Sequence, residues 1–334
     1  MLTRRLVTLL VITLLVPVCR LSAADTPAIC AECIRADMNF LAADDLHGRG
    51  SATRDEHLAA LFAAAQFESF GLEPGGDNGT FLQKAPLPNP LPDRLAQHLS
   101  RWEHVPRTET WNVVAVLHSH DAKTQPGAIL LTAHLDHLGI GPAVNGDSIY
   151  NGADDDASGT TAVLELARTL SRNHHLKRTI IFALFGSEEI GGFGDHYFLE
   201  HPPVPLEQIV ANLEFEMIGR PDPAVPAGHF WLTGYERSDL GPELVKHGAH
   251  LAADPHPKEQ FFQRSDNYAL ARRGIIAHTV SSFSLHADYH QPSDEISRID
   301  FPYMTTVIGS MIKPIAWLAD TDWKPTWNPN GQPK

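Results

Sequence analysis

The chain has 334 residues, 43% of them hydrophobic and 20% charged. That is enough apolar side chain for one large α/β core, and it excludes a disordered chain. Its 40 acidic residues against 26 Lys and Arg give a formal charge of -14, which speaks against nucleic acid as a partner and favours solubility.

Residues 1–24 read as a targeting signal. Arg4 and Arg5 precede an apolar run from Leu6 to Val18, and Ser22-Ala23-Ala24 offers small residues for cleavage. The run is short for a membrane span, so the mature chain is expected to be exported, periplasmic or extracellular, and not integral to a membrane. Removal of the signal leaves Cys30 and Cys33, read as a local bridge or two free thiols without a catalytic role. Residues 29–71 read as two helices separated by the turn Gly48 to Gly50, the second carrying an apolar stripe of Leu58, Leu61, Phe62, Ala65 and Phe67. The Pro- and Gly-rich stretch from Glu73 to Pro106, centred on PLPNPLPD, reads as a linker or covering loop.

Beyond it, strand and helix alternate. Thr110 to Leu117, Ala128 to His134, Thr179 to Gly186, Gln208 to Ile218, His229 to Thr233 and Ile275 to Val280 read as strands. Helices are expected over Gly159 to Ser171, Phe193 to His201, Ser238 to His250 and Tyr303 to Leu318, the last kinked near Pro314. The pattern predicts a three-layer α/β/α sandwich on a mostly parallel mixed sheet. Residues 25–106 would be an N-terminal segment packed on a catalytic domain of residues 107–322, with 323–334 as a tail. His174-His175 and most of the 19 histidines read as surface residues.

The stretch Asn151 to Gly159, NGADDDASG, holds three consecutive carboxylates that repel one another unless a cation is present. Asp154, Asp156, Ser158, Gly159 and Glu165 fit the oxygen spacing of an EF-hand calcium loop, but the preceding VNGDSIYNGA lacks the helical period of an entering helix. In a second reading the loop joins His134 and Asp136, Glu188 and Glu189, Glu214 and Glu216, and His290. These stand at or just past the carboxyl ends of predicted strands, where open α/β sheets place their sites. There is no Gly-x-Ser-x-Gly elbow and no His-Glu-x-x-His helix, so serine hydrolase and thermolysin-like readings find no support.

From about Cys33 to Trp317 the sequence resembles the co-catalytic zinc exopeptidases, metallopeptidase family twenty-eight, which include bacterial leucyl aminopeptidases, aminopeptidase Y and, more distantly, glutamate carboxypeptidase. AHLDHLG, NGADDDASG, GSEE, NLEFEMIGR and DYHQPSDE carry the resemblance. It implies the zinc-exopeptidase type of sheet, without the protease-associated insert some relatives have, since the segment before Trp111 is too short to hold one. His134 and Asp155 become metal ligands, with Asp155 bridging two zinc ions. Glu189, Glu216 and His290 complete the ligand set, Glu188 becomes the general base, and Asp136 orients His134. Imidazole and carboxylate ligands suit zinc, with cobalt or manganese as substitutes. One departure is Glu216, which stands where the family most often has aspartate; Glu214, two residues earlier, is its rival.

The function implied is an exported metalloaminopeptidase acting on peptides. A carboxypeptidase or glutaminyl cyclase of the same fold, or an idle metal-binding protein, stays as the alternative. For a free substrate amine Glu214 is a candidate partner, for a substrate carboxylate Arg220 or Arg264. Ser265-Asp266 and His286, Asp288 and Tyr289 are candidates for shaping the pocket.

Overall fold

Side-chain alternation along the central strands gives the sheet two apolar faces. In a computed structural model, which describes residues 28–119, 127–173 and 176–334, Ile180, Phe182 and Leu184 point into one core, while Ile181, Ala183 and Phe185 point into a second on the opposite face. This is the period of two that a pleated strand imposes. Residues 1–24, which read as a targeting signal, and the His174-His175 pair lie outside the described residues.

Nine strands make one mixed sheet among the described residues. In spatial order they are β1 (Glu73–Pro74), β3 (Glu109–Leu117), β7 (Thr179–Phe185), β4 (Ala128–His134), β8 (Ile209–Phe215), β11 (Ala277–Ser281), β9 (Phe230–Leu232) and β10 (Leu251–Ala253), with β2 (Leu82–Pro86) also pairing β3. Strands β7, β4, β8 and β11 run parallel, whereas β3 and β9 flank them antiparallel. The parallel strands are apolar on both faces, because helices cover both. Helices α1 (Ala31–Leu41), α2 (Arg54–Ser69), α4 (Gly159–Leu170), α6 (Leu240–Lys246) and α8 (Phe301–Asp320) pack on one side; α5 (Phe193–Glu200) and α7 (Asn267–Arg272) pack on the other. The remaining helix, α3 (Asp93–Leu99), lies in the Pro-rich stretch.

Three details depart from the sequence expectation. The stretch read as a covering loop supplies β1 and β2, because Leu82 to Pro86 pairs in register with Glu109 to Val113. The turn-forming segment before the acidic loop is a hairpin of β5 (Gly139–Val144) and β6 (Asp147–Tyr150). Asn145 and Gly146 turn it with positive φ, as a two-residue hairpin turn requires. The last residues fold back: Trp327 bridges to Ser238 and packs against Phe262 and His278. No helix among the described residues is long and apolar enough to cross a membrane.

Candidate metal centre

The parallel strands deliver their polar residues to one end of the sheet. His134 closes β4, Glu188 and Glu189 follow β7 in a tight turn entered through Ser187 at φ 62, and Glu216 follows β8 just before Met217 at φ 51. The acidic loop enters from beside β4. Asp155 sits at the middle: its carboxylate lies 3.2 Å from His134 Nε2 and 3.2 Å from His290 Nε2. His290 Nε2 is in turn 3.3 Å from Glu189 Oε2.

Ligand atoms of His134, Asp155 and Glu216 fall within 4.8 Å of one another, and so do those of His137, Asp155 and Glu189. Two donor groups therefore share Asp155. His134 Nε2, both ring nitrogens of His137 and Glu189 Oε1 are buried and make no hydrogen bond. Such orphaned donors and acceptors are costly in a protein interior unless something satisfies them. A carboxylate and imidazole set of this kind fits zinc.

Electrostatics point the same way. Burial pushes the Glu188 carboxyl well above the usual range; the His134 charge opposes this, and the nearby Glu189 and Glu216 charges add to it. Burial likewise lifts Glu216 to about 8, against the pull of His134 and with the push of Glu214. For Asp155, burial would raise the value, but the His134 and His290 imidazoles, each 3.2 Å from its carboxylate, hold it well below the carboxylate norm. Crowded buried carboxylates of this sort are stabilised by a cation among them.

Asp136 lies where the motif reading placed it, but its carboxylate is 3.8 Å from His134 Nδ1, whose closer partner is the Asp136 backbone oxygen at 3.2 Å. The carboxylate instead accepts from the backbone N–H groups of Glu188 at 3.0 Å and Glu189 at 3.4 Å, and from Ser51 Oγ at 2.5 Å. It holds the turn that aims the two glutamates.

The acidic loop does not form an EF-hand. Glu165 points away along α4, paired with Arg168 at 2.6 Å and accepting from the Cys30 N–H. Asp154 accepts from Gly219 N–H and faces His286, while Asp156 accepts from the N–H groups of Gly159 and Met217. These oxygens are committed to the protein in different directions. Glu214, the rival of Glu216, is also committed: it accepts from Ser265 Oγ, Asn267 N–H and Thr279 Oγ1. The same contacts leave it unsuited to a substrate amine. Arg220 pairs with Asp288 at 2.7 Å, leaving Arg264, over the Phe261 ring, as the basic candidate beside the site.

Several supporting residues carried no motif. Arg49 donates to the carbonyls of Leu41, Leu135, Asn151 and Gly152. Glu56 accepts from Ser187 N–H, Ala52 N–H and Thr110 Oγ1. Asp294 accepts from the N–H groups of Asp154 and Asp155 at 3.1 Å. His137 was visible as the last residue of His134-Leu135-Asp136-His137, but a histidine after a strand has no distinguishing spacing by itself.

Two cavities open beside the centre. One of about 490 Å³ is bordered by Glu188, Ser265 and Asp266, with Arg264, Arg272 and Arg273 at its edge. A narrow slot of about 30 Å³ adjoins Glu216, walled by Met217, Trp231, Phe261, Phe283 and Tyr289. Tyr289 also stacks on His290 at 3.8 Å.

A helix-covered mixed sheet, parallel at its centre, with two donor groups sharing one aspartate at its carboxyl edge describes an α/β protein with a candidate metal centre. The sequence matches peptidase family M28 over residues 112–313, and the chain belongs to that family. The probable lipoprotein aminopeptidase LpqL of Mycobacterium tuberculosis is 25% identical over 250 residues, covering 64% of this chain and 47% of that protein. The chain thus spans about half the length of that relative. Among solved structures, BSAP, a zinc aminopeptidase from Bacillus subtilis, superposes with a TM-score of 0.66 at 15% identity, covering 88% of this chain and 96% of the other. A glutaminyl cyclase of Porphyromonas gingivalis superposes at 0.61 with 17% identity, covering 86% and 98%. At these identities the likeness is one of fold.

Proposed function

We propose that the chain is an exported aminopeptidase that uses two zinc ions and a glutamate base. The observation that carries this reading is the pair of donor groups sharing Asp155, set beside Glu188 at the mouth of a cavity. His134, Asp155 and Glu216 would hold one metal; Asp155, Glu189 and His290 would hold the other. A bound metal pair supplies Lewis acidity, acidifying water and polarising a carbonyl.

The chain's own residues do the rest. Glu188, raised by burial, is suited to take a proton from water at neutral pH and deliver it to the departing amine. Asp136 fixes the Glu188 and Glu189 backbone so that one carboxylate turns to metal and the other to the cavity. The slot beside Glu216, apolar on the side of Met217, Trp231, Phe261 and Phe283, receives the N-terminal side chain, and the larger cavity holds the rest of the peptide. Volume sets a preference: a slot of about 30 Å³ has room for about two waters, so small apolar side chains enter more readily than aromatic ones. Export is supported by the order of basic, apolar and small residues in 1–24 and by the Cys30–Cys33 disulfide, which suits an oxidising compartment.

The test is hydrolysis of aminoacyl p-nitroanilides, each beside its N-acetylated form and a chelator-treated control. Cleavage of free-amine substrates only, lost on chelation and faster for alanyl than phenylalanyl, is expected. A zinc-loaded protein inert on every unblocked substrate, while releasing C-terminal residues or cyclising N-terminal glutamine, would overturn the reading.

A further inference from the structure

His137 falls in a donor group with Asp155 and Glu189, yet it is not among the ligands assigned to either metal above. Its backbone is pinned on both sides, the N–H donating to Arg49 O and the carbonyl accepting from Ser51 N–H, each at 3.0 Å. The side chain is fully buried. Its ring packs against Gly152, where an added Cβ would come within 2.5 Å of His137 Cγ, so the loop's glycine is what lets the imidazole occupy this place.

Nδ1 of that ring is 2.9 Å from Glu189 Oε1 and 3.9 Å from Asp155 Oδ2. Neither ring nitrogen, nor Glu189 Oε1, makes a hydrogen bond; the nearest pair is close but out of line. On the other side of the same two carboxylates stands His290, its ring edge-on to that of His137 with centroids 5.7 Å apart. Two imidazoles and two carboxylates thus border one small volume. A buried imidazole that merely oriented Glu189 would be in line for a hydrogen bond to it. A donor set of two nitrogens and two oxygens is instead the complement of a four-coordinate zinc ion.

We propose that His137 is a fourth protein ligand of the metal held by Asp155, Glu189 and His290, making the two metals unequal. The inference rests on the two-metal reading of the site. The ion at His134, Asp155 and Glu216 then has three protein ligands and stays open, as a catalytic zinc does, while its neighbour is closed by four, as a structural zinc is. The closed ion is the one retained longest against a chelator. The open one is the one that exchanges.

The experiment uses the mature chain, the His137→Gln variant and the His290→Gln variant, each equilibrated with zinc over a buffered range of free metal. Metal content by mass spectrometry gives two dissociation constants. X-ray absorption at the zinc edge counts imidazoles, expected at about 1.5 per zinc when three histidines serve two ions and about 1 when two do. The proposal expects the higher count in the unmodified protein. It also expects His137→Gln and His290→Gln to weaken the same, tighter constant, each by roughly 100-fold or more, since loss of an outer partner alone costs about 10- to 100-fold. The absorption count on the unmodified protein stands even if His137→Gln does not fold. Two bound zinc ions with a count near 1 would overturn the proposal, whether or not His137→Gln weakens binding, and leave the two-metal reading intact. An unmodified protein that takes up only one zinc would overturn both.

Discussion

Glu188, half-buried at the wall of a cavity, and His278, fully buried, are both ionisable side chains to which burial gives opposite tasks. For Glu188 it raises the affinity for a proton, which is the property a base needs near neutral pH. Glu188→Gln keeps the shape and removes that capacity. Its kcat is expected to fall by about 10² to 10⁴ with zinc content unchanged; a variant retaining a tenth of the rate would remove Glu188 from the role. His278 on β11 is held neutral, its Nδ1 facing Thr233 O and its Nε2 facing Ser238 Oγ, both at 2.7 Å, and burial lowers it from 6.5 to about 4. Above pH 6.5 neither the folded nor the unfolded state carries the proton. Between about 6.5 and 4 only the unfolded state does, so stability falls with pH by up to about 3 kcal/mol. Asp37, raised by burial to about 7, acts in the opposite sense over the same interval. The quantity to measure is therefore the difference between the unmodified chain and His278→Gln in urea unfolding at pH 7 and pH 5. A difference that does not change with pH would show that His278 is not held neutral by the fold.

At the level of elements, the site depends on the segment between α1 and α2. Arg49 ties the end of α1, the residue after β4 and the start of the acidic loop through four carbonyls, and Glu56 at the start of α2 fixes Ser187 before the glutamate pair. Replacing Arg49 by Met strands those carbonyls in the interior. A loss of at least about 3 kcal/mol in unfolding free energy is expected, since each buried unsatisfied group costs about 1–3 kcal/mol; an unchanged urea midpoint would mean that water replaces the guanidinium. None of this was legible in the sequence. Arg49 and Glu56 look like two charged residues near a Gly-Arg-Gly turn, and only the fold shows that most of their partners, Leu135, Asn151 and Gly152 for Arg49 and Thr110 and Ser187 for Glu56, lie between 54 and 131 residues away. The strands that hold the ligands were legible, because long apolar runs such as Thr179 to Phe185 have few other solutions in a soluble domain. Strands β1, β2, β5 and β6 were not: their pairing partners, rather than their apolar pattern, make them strands.

For the whole molecule, the reading of residues 1–24 as a targeting segment and the Cys30–Cys33 bridge make one joint prediction. Expressed with residues 1–24 in a Gram-negative host, the chain should be recovered from the periplasm beginning just after Ala24, with a mass lower by two hydrogens than the reduced form. Recovery only from the cytoplasm, with residues 1–24 intact, would contradict export. The sequence by itself determined the layered α/β class through its apolar periodicity, and its short motifs, through the resemblance they carry, named His134, Asp155, Glu188, Glu189, Glu216 and His290 as candidates, because periodicity and motifs are local properties of the chain. Tertiary structure alone decided that Glu214 is occupied by Ser265, Asn267 and Thr279, that Asp136 supports the glutamate turn more closely than the His134 ring, and that His137 faces the same carboxylates as His290. Those outcomes depend on where a side chain points once distant strands are brought together, and residue spacing along the chain does not encode that direction.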